Sequence, residues 1–236
     1  MSARDLAVRL GTAMAALPGP ILWGLVAAGR VDPHLASYVM VVGVCAGFVT
    51  VLAAPWLDVG PGRDASPQAR LTDMLILWTL ASTCAQLGWE LPFSLLSSRL
   101  VGVTEHDTWA WLFWAYGVAD TRYLTADPFT VIMEGFTSMV GGPLEIYTVL
   151  LVLRGELRRA AILGLVIAAT QWYGCVLYFG IEAFAGFPHV AFDVFWDWGL
   201  KFLFLNALWL VMPLVQGWAA LQVLAAPRAR EAGAPG

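Results

Sequence analysis

The chain consists of long uncharged stretches separated by short segments that carry most of its charges. A helix needs about 20 apolar residues to cross a bilayer, so each uncharged stretch of that length predicts a membrane helix. Stretches of this kind cover residues 11–29, 33–57, 160–181 and 202–227. The pattern therefore predicts four membrane helices without an internal charge.

Two further stretches reach this length only if they are allowed to contain a carboxylate. Residues 74–98 contain Glu90, and residues 128–153 contain Glu134 and Glu145. With these two stretches included, the fold class is predicted to be all-α. The chain would form a polytopic membrane bundle of about six transmembrane helices, and the last four to five would form its core.

The same pattern predicts one membrane domain with a short addition at each end. Residues 1–30 are predicted to be an extra N-terminal membrane helix, which we interpret as retained because its apolar run is longer than the core of a cleavable signal. Residues 31–224 form the predicted membrane domain. Residues 225–236 are rich in Ala, Pro and Gly and predict a disordered tail.

Basic residues are distributed unequally between the two sides of this bundle. Six spans place both termini on one side with nine basic residues, and leave four on the other side. Because basic residues concentrate in cytoplasmic loops, we predict that both termini are cytoplasmic. The nine residues are Arg4, Arg9, Arg63, Arg70, Arg154, Arg158, Arg159, Arg228 and Arg230.

Composition excludes several classes of protein. Hydrophobic residues make up 59% of the 236 residues and charged residues 13%, whereas a soluble domain has about 25% charged residues. Membrane lipid is therefore the expected surrounding, and without a run of Lys or Arg no nucleic acid partner is expected. His34, His106 and His189 are isolated and no nucleotide-binding motif is present, so we expect no metal and no cofactor.

The carboxylates inside the predicted helices are the first candidates for chemistry. A carboxylate in the hydrocarbon region costs at least ~2.5 kcal/mol, so its presence suggests a function. Glu90 shares a helix face with Gln86, and Glu134 shares one with Thr137. The alternative is a carboxyl group that reaches water or braces neighbouring helices, and this alternative is favoured for Glu145.

The last two predicted helices add polar and aromatic candidates. Asn206 and Trp209 lie three residues apart in an apolar helix, and Tyr173 and Tyr178 lie on the helix before it. Each of these residues could line a cavity or simply pack between helices. Carboxyl groups, a hydroxyl, an amide and an aromatic face are together what is needed to protonate an alkene and stabilise a carbocation.

Five blocks of sequence begin at Tyr116, Met133, Gly142, Gln171 and Phe204. In this order, they resemble the emopamil-binding protein family, the sterol isomerases of the EXPERA group. The resemblance implies an enzyme that moves the 8,9 double bond of a sterol to the 7,8 position through a carbocation, without a cofactor. It matches Glu90, Glu134, Thr137, Asn206 and Trp209 to the family's functional residues.

Three departures from the family pattern indicate a divergent member. Gln86 stands where the family has His, and a neutral amide can orient a carboxyl group but cannot act as a base. Cys175 stands where the family usually has Asp. The first helix has no counterpart in the family's usual five-helix core.

The resemblance leads to specific expectations for the site. Glu90 is expected to donate the proton, Glu134 to accept one or counter the cation, and Thr137 and Gln86 to orient the carboxyl groups. Trp209 would face the cation and Asn206 would fix its surroundings. The residues expected to contact the substrate are Gln86, Tyr173, Tyr178 and Glu145.

Two other functions use the same residue types. The tripeptide at 89–91 is also similar to membrane-bound terpene cyclases, which protonate a linear isoprenoid with a membrane carboxyl group. A relative of the sigma receptors would bind a sterol or a cationic amphiphile without turnover. The expected partners are a sterol or other isoprenoid substrate, membrane lipid and a second copy of the chain in a homodimer.

Overall fold

The computed structural model describes residues 2–57 and 67–226, which are almost entirely helical. The predicted disordered tail lies mainly in residues 227–236, outside the described residues. The helices are α1 (Ala3–Ala16), α2 (Pro18–Ala27), α3 (Pro33–Ala53), α4 (Pro67–Ala85), α5 (Leu91–Leu100), α6 (Trp111–Gly117), α7 (Arg122–Thr125), α8 (Pro128–Phe136), α9 (Gly142–Leu153), α10 (Leu157–Ala185) and α11 (Leu205–Ala225).

Five helical segments in the described part are long and apolar enough to cross a membrane. They are Ala3–Ala27, Pro33–Trp56, Pro128–Leu153, Leu157–Ala185 and Trp196–Ala225. This confirms the prediction of an all-α polytopic membrane bundle, and the protein is an integral membrane protein.

The helix predicted at residues 74–98 forms but is not among these five segments. It is continuous from α4 through α5, and its polar residues face the bundle: Ser82, Gln86 and Glu90 are 0%, 1% and 8% exposed. These inward polar side chains lower the mean hydropathy by which a membrane helix is recognised. The number of six crossings therefore remains a prediction, which depends on this helix.

Three π-helical segments interrupt the long helices. Gln86–Glu90 joins α4 to α5, Thr137–Gly141 joins α8 to α9, and Trp196–Phe204 precedes α11. The first two pack against each other. A Cβ atom on Gly141 would lie 2.9 Å from Gln86 Oε1, so glycine at this position allows the two segments to approach closely. Such segments frequently occur at functional sites.

The first helices pack backbone to backbone. A Cβ atom on Gly47 of α3 would lie 2.6 Å from both the Ala15 nitrogen and the Gly11 oxygen of α1. The Gly43-x-x-x-Gly47 pattern thus works as small residues usually do in membranes, by letting two helices approach. The Asp32 side chain caps the start of α3 by accepting from the Leu35 amide at 2.9 Å.

The segment from residue 101 to 127 is rich in aromatic residues. It forms α6 and α7 and packs into one end of the bundle, where Trp111 and Tyr123 are 0% and 3% exposed. Trp109, 51% exposed, has an accessible position that suits a ring at the headgroup level.

A buried ionic cluster fixes this segment to α10. Arg122 donates from Nη2 to Asp120 at 2.6 Å, its Nε lies 3.6 Å from Glu182, and its guanidinium carbon lies 3.9 Å from the centre of the Tyr178 ring. Asp120, Arg122 and Glu182 are 0–1% exposed. The guanidinium group compensates two carboxylates that water does not reach.

Loss of this guanidinium group is expected to destabilise the fold strongly. Arg122→Met leaves Asp120 buried without its cation, which costs about 3–5 kcal/mol for a broken buried pair. It also removes one of the two basic partners of Glu182, the other being His189 at 2.8 Å. We expect a clear fall in the melting temperature in detergent.

The matched control is Arg159→Met, because Arg159 pairs with Glu156 on the surface, and it should melt like the wild type. Equal melting temperatures for the two variants would contradict the role assigned to Arg122.

The topology also gives a direct prediction. If the helix from α4 to α5 crosses the membrane, Arg158 and both termini lie on the same side. Single cysteines introduced at residues 2 and 158 in a chain without Cys45, Cys84 and Cys175 should react with an impermeant thiol reagent from the same side of sealed vesicles. Labelling from opposite sides would show that the count of six crossings is wrong.

Candidate active site

Two carboxyl groups from different helices meet inside the bundle. Glu90, in the first π-segment, and Glu134, in α8, are 8% and 6% exposed. Their side chains lie close enough to interact with each other. Two ionised carboxylates so close in a buried site would repel each other, which favours a proton on one of them. The pair can therefore hold one transferable proton.

Each carboxyl group also has a hydroxyl partner. Thr137 donates from Oγ1 to Glu90 Oε2 at 2.5 Å, and the Tyr123 hydroxyl donates to Glu134. Burial raises the pKa of Tyr123 well above its ordinary value, so this hydroxyl keeps its proton. The structure thus brings Glu90, Glu134 and Thr137 together as predicted and adds Tyr123.

Aromatic rings line the same region. The Trp89 and Tyr116 ring centres lie 5.7 Å apart, and those of Tyr116 and Tyr123 lie 4.8 Å apart. Sequence reasoning did not place these rings at the site, although Tyr116 and Tyr123 both belong to a block that carries the family resemblance. Aromatic faces beside a carboxyl pair are suited to stabilise a positive charge.

Asn206 reaches this region through a tyrosine. Its Nδ2 donates to the Tyr116 hydroxyl at 2.7 Å and to the Phe202 carbonyl at 2.6 Å. The Tyr116 and Tyr178 hydroxyls are 3.4 Å apart, and Tyr178 donates to Asp120. The amide therefore fixes an aromatic ring of the site rather than either carboxyl group.

Trp209 points to a different set of partners from Asn206. Its ring packs edge-on against Trp78 at 5.2 Å and against Phe48 at 6.1 Å. Its Nε1 is buried without an acceptor among the side chains and backbone that the structure describes. The three-residue spacing predicted that the amide and the indole would act together, whereas they contact separate neighbours.

Glu145 lies in a second polar cluster and is 0% exposed. It accepts a hydrogen bond from each of four side chains on two neighbouring helices and the first π-segment. The donors are Ser82, Thr83 at 2.9 Å, Gln86 at 3.2 Å and Gln171 at 2.6 Å. This arrangement agrees with the bracing role favoured from the sequence.

Gln86 and the two tyrosines of α10 differ from the sequence expectations. Gln86 donates to Glu145 and not to Glu90, although it shares a helix with the latter. Tyr178 is 2% exposed and binds Asp120, whereas Tyr173 is 63% exposed. The structure does not bring Tyr173 to the carboxyl pair, because five residues along a helix place two side chains on different faces.

Within residues 2–57 and 67–226, no group of three or more His, Cys, Asp or Glu side chains could hold a metal ion. The candidate site itself offers the carboxyl pair, its two hydroxyl partners and the aromatic rings. Proton transfer to and from an apolar molecule is the chemistry that they can support.

Comparison with known proteins points to one family. Residues 108–220 match the model of the EBP family, described as EXPERA (EXPanded EBP superfamily). Glu134, Thr137, Asn206 and Trp209 lie inside this match, whereas Gln86 and Glu90 precede it.

Curated relatives agree with the family model. The chain is 36% identical over 146 residues to a mouse (Mus musculus) protein named 3-beta-hydroxysteroid-Delta(8),Delta(7)-isomerase, with 60% of each chain covered. Proteins of the same name are 40% identical in the rat (Rattus norvegicus), over 42% of each chain, and 29% identical in the guinea pig (Cavia porcellus), over 78% of each chain. The match thus spans less than two thirds of the mouse and rat proteins.

The family model and these relatives agree with the blocks of sequence and with the buried carboxyl pair. Residues 108–220 are thus similar to the emopamil-binding protein (EBP) family of the EXPERA group.

Proposed function

We propose that the protein is an integral membrane isomerase that moves a ring double bond in a 3-hydroxysteroid by adding and removing a proton. The observation that carries the proposal is the pair of neighbouring carboxyl groups, Glu90 and Glu134, buried inside the bundle with hydroxyl partners. The names of the relatives support the choice of substrate, since they are isomerases of 3-beta-hydroxysteroids.

The pair can perform the reaction without a co-reactant. Protonated Glu90 gives its proton to C9, and the π electrons of the 8,9 bond form the new C–H bond and leave a positive charge on C8. Glu134 then takes a proton from C7, and the electrons of that C–H bond form the 7,8 double bond. Transfer of this proton from Glu134 to the neighbouring Glu90 makes the enzyme ready for the next cycle.

The surrounding groups have supporting roles in this proposal. Thr137 and Tyr123 hold the two carboxyl groups in position through their hydroxyl groups. The rings of Trp89, Tyr116 and Tyr123 present aromatic faces to the cation, and Asn206 fixes one of them. Trp209 packs edge-on against Trp78, and these two aromatic rings would also favour a cation.

Two alternatives receive less support. The relatives are named as isomerases, which favours a double-bond shift over cyclisation of a linear isoprenoid. A binding protein without turnover has no need for a carboxyl pair that shares a proton, because one carboxylate would suffice to bind a cationic amphiphile.

Orientation and assembly complete the proposal. Both termini face the cytoplasm, which is supported by the concentration of basic residues on that side. Residues 1–30 add a membrane helix to the domain formed by residues 31–224. We also propose that two copies of the chain associate in the membrane as a homodimer.

Removal of the donor proton is expected to abolish turnover. Glu90→Gln keeps the size of the side chain but cannot donate a carboxyl proton, so activity should fall by about 100-fold or more. The measurement is conversion of an 8,9-unsaturated sterol by membranes that contain each variant, followed by mass spectrometry. Glu156→Gln, which changes a carboxylate in a loop, is the control and should retain activity. Full activity of Glu90→Gln would falsify the assignment of the acid.

A positively charged ligand is expected to bind more tightly than its neutral counterpart. A desolvated cation–π contact contributes ~2 kcal/mol, and a hydrogen bond to a carboxylate contributes ~1.5–3 kcal/mol. Burial of the ammonium group offsets part of this gain. An ammonium amphiphile should therefore bind at least about tenfold more tightly than its neutral isostere.

Competition binding to purified protein measures this preference. Trp209→Ala should reduce it in part, and Glu134→Gln should reduce it further because a carboxylate is lost. Tyr147→Phe, a change on the accessible side of α9, is the control. Equal affinity of the amine and the isostere for the wild type would show that the site does not stabilise a cation.

A further inference from the structure

One side-chain oxygen in the first π-segment, which also contains Glu90, has no hydrogen-bond partner. Gln86 is 1% exposed, and its Oε1 is buried without a donor among the residues that the structure describes. A buried acceptor without a partner is unfavourable, so such groups are usually paired by water or by a ligand. Gln86 is therefore a candidate for contact with a molecule that enters the bundle.

The orientation of the amide is determined by its neighbour. Gln86 Nε2 donates to Glu145 Oε1 at 3.2 Å. If the amide were turned around, the Gln86 oxygen would face the Glu145 oxygen, and two acceptors would meet. Glu145 acts as an acceptor toward three other side chains as well. Glu145 thus turns the Oε1 of Gln86 away from itself.

The space beside this oxygen depends on a glycine. A Cβ atom on Gly141 would lie 2.9 Å from Gln86 Oε1, which is too close for an ordinary contact. The oxygen faces the second π-segment, which also contains Thr137, the partner of Glu90. The unpaired acceptor and Glu90 therefore lie along the same pair of segments.

We propose that Gln86 Oε1 accepts a hydrogen bond from the hydroxyl group of the substrate while Glu90 acts on its double bond. This inference rests on the proposed function. Gln86 precedes Glu90 by four residues, which is about one turn of the first π-segment. In a 3-hydroxysteroid, one six-membered ring with one bond at each end separates the hydroxyl oxygen from C9, so the two side chains can contact the two ends of this part of the substrate.

This contact makes the site selective for a hydrogen-bond donor. A methyl ether or a ketone at the same position offers only an acceptor and would leave Gln86 Oε1 unpaired. A site built to pair with a hydroxyl rejects analogues that cannot form the bond. The alcohol is therefore expected to bind at least about tenfold more tightly than its ether or ketone.

Two other buried groups offer a comparison. Trp209 Nε1 and both polar atoms of the Gln216 amide also have no partner among the described residues. The indole can only donate, so it would favour a ketone or ether as much as an alcohol. Gln216 lies in α11 beside Gly164 of α10. A Cβ atom on Gly164 would be 3.6 Å from Gln216 Nε2.

The test compares one sterol skeleton that carries a 3-hydroxyl, a 3-methoxy or a 3-keto group. Binding of each to the purified full chain in lipid nanodiscs is measured by competition, and turnover of each is measured in parallel. For the wild type we expect the alcohol to bind best. Gln86→Met, which is similar in size, should remove the preference, whereas Gln216→Met, the matched control in another buried glutamine, should keep it.

A second variant tests the same contact with the amide retained. Gly141→Ala places a methyl group against Gln86 Oε1 and should weaken the preference for the alcohol. The inference is overturned if the wild type binds the three sterols equally, or if Gln216→Met rather than Gln86→Met removes the preference. A preference without turnover would contradict the proposed isomerase only, and turnover of all three sterols with equal kcat/KM would contradict the hydroxyl contact only.

Discussion

The structure depends on one constraint: polar groups inside a membrane bundle must bind each other, because no water is available to them. Glu90, Glu134 and Glu145 are all less than a tenth exposed, and each has a hydroxyl or amide partner from another helix. These bonds join α4, α8, α9 and α10 at the centre of the bundle. The same contacts that hold the helices together therefore build the candidate site.

The two polar clusters differ in what they leave free. Glu145 accepts from four side chains, which occupies the acceptor positions of a carboxylate and leaves little for a substrate. Glu90 and Glu134 have one hydroxyl partner each and lie next to each other, so a proton can move within the pair. A carboxyl group of the first kind braces the bundle, and carboxyl groups of the second kind can perform chemistry.

The buried segment with α6 and α7 connects the end of the bundle to this pair. Arg122 fixes the segment by compensating Asp120 and Glu182. From the same segment, Tyr123 donates to Glu134, and Tyr116 accepts from Asn206. The ionic cluster thus determines where two rings of the site lie, although Arg122 itself contacts neither carboxyl group of the pair.

The sequence by itself determined the membrane environment, the helical fold and the three residues at the centre of the candidate site. Long uncharged stretches predict helices because only a helix satisfies its own backbone in lipid, and a carboxyl group is too costly there to occur without a role. Glu90, Glu134 and Thr137 were predicted in this way and meet in the structure. Only the tertiary structure decided that Gln86 binds Glu145, that Asn206 acts through Tyr116, and that Tyr173 lies away from the site. Helix periodicity gives the face of a side chain within its own helix, whereas its partner depends on how neighbouring helices rotate and approach, which here depends on π-segments and glycines that periodicity does not reveal.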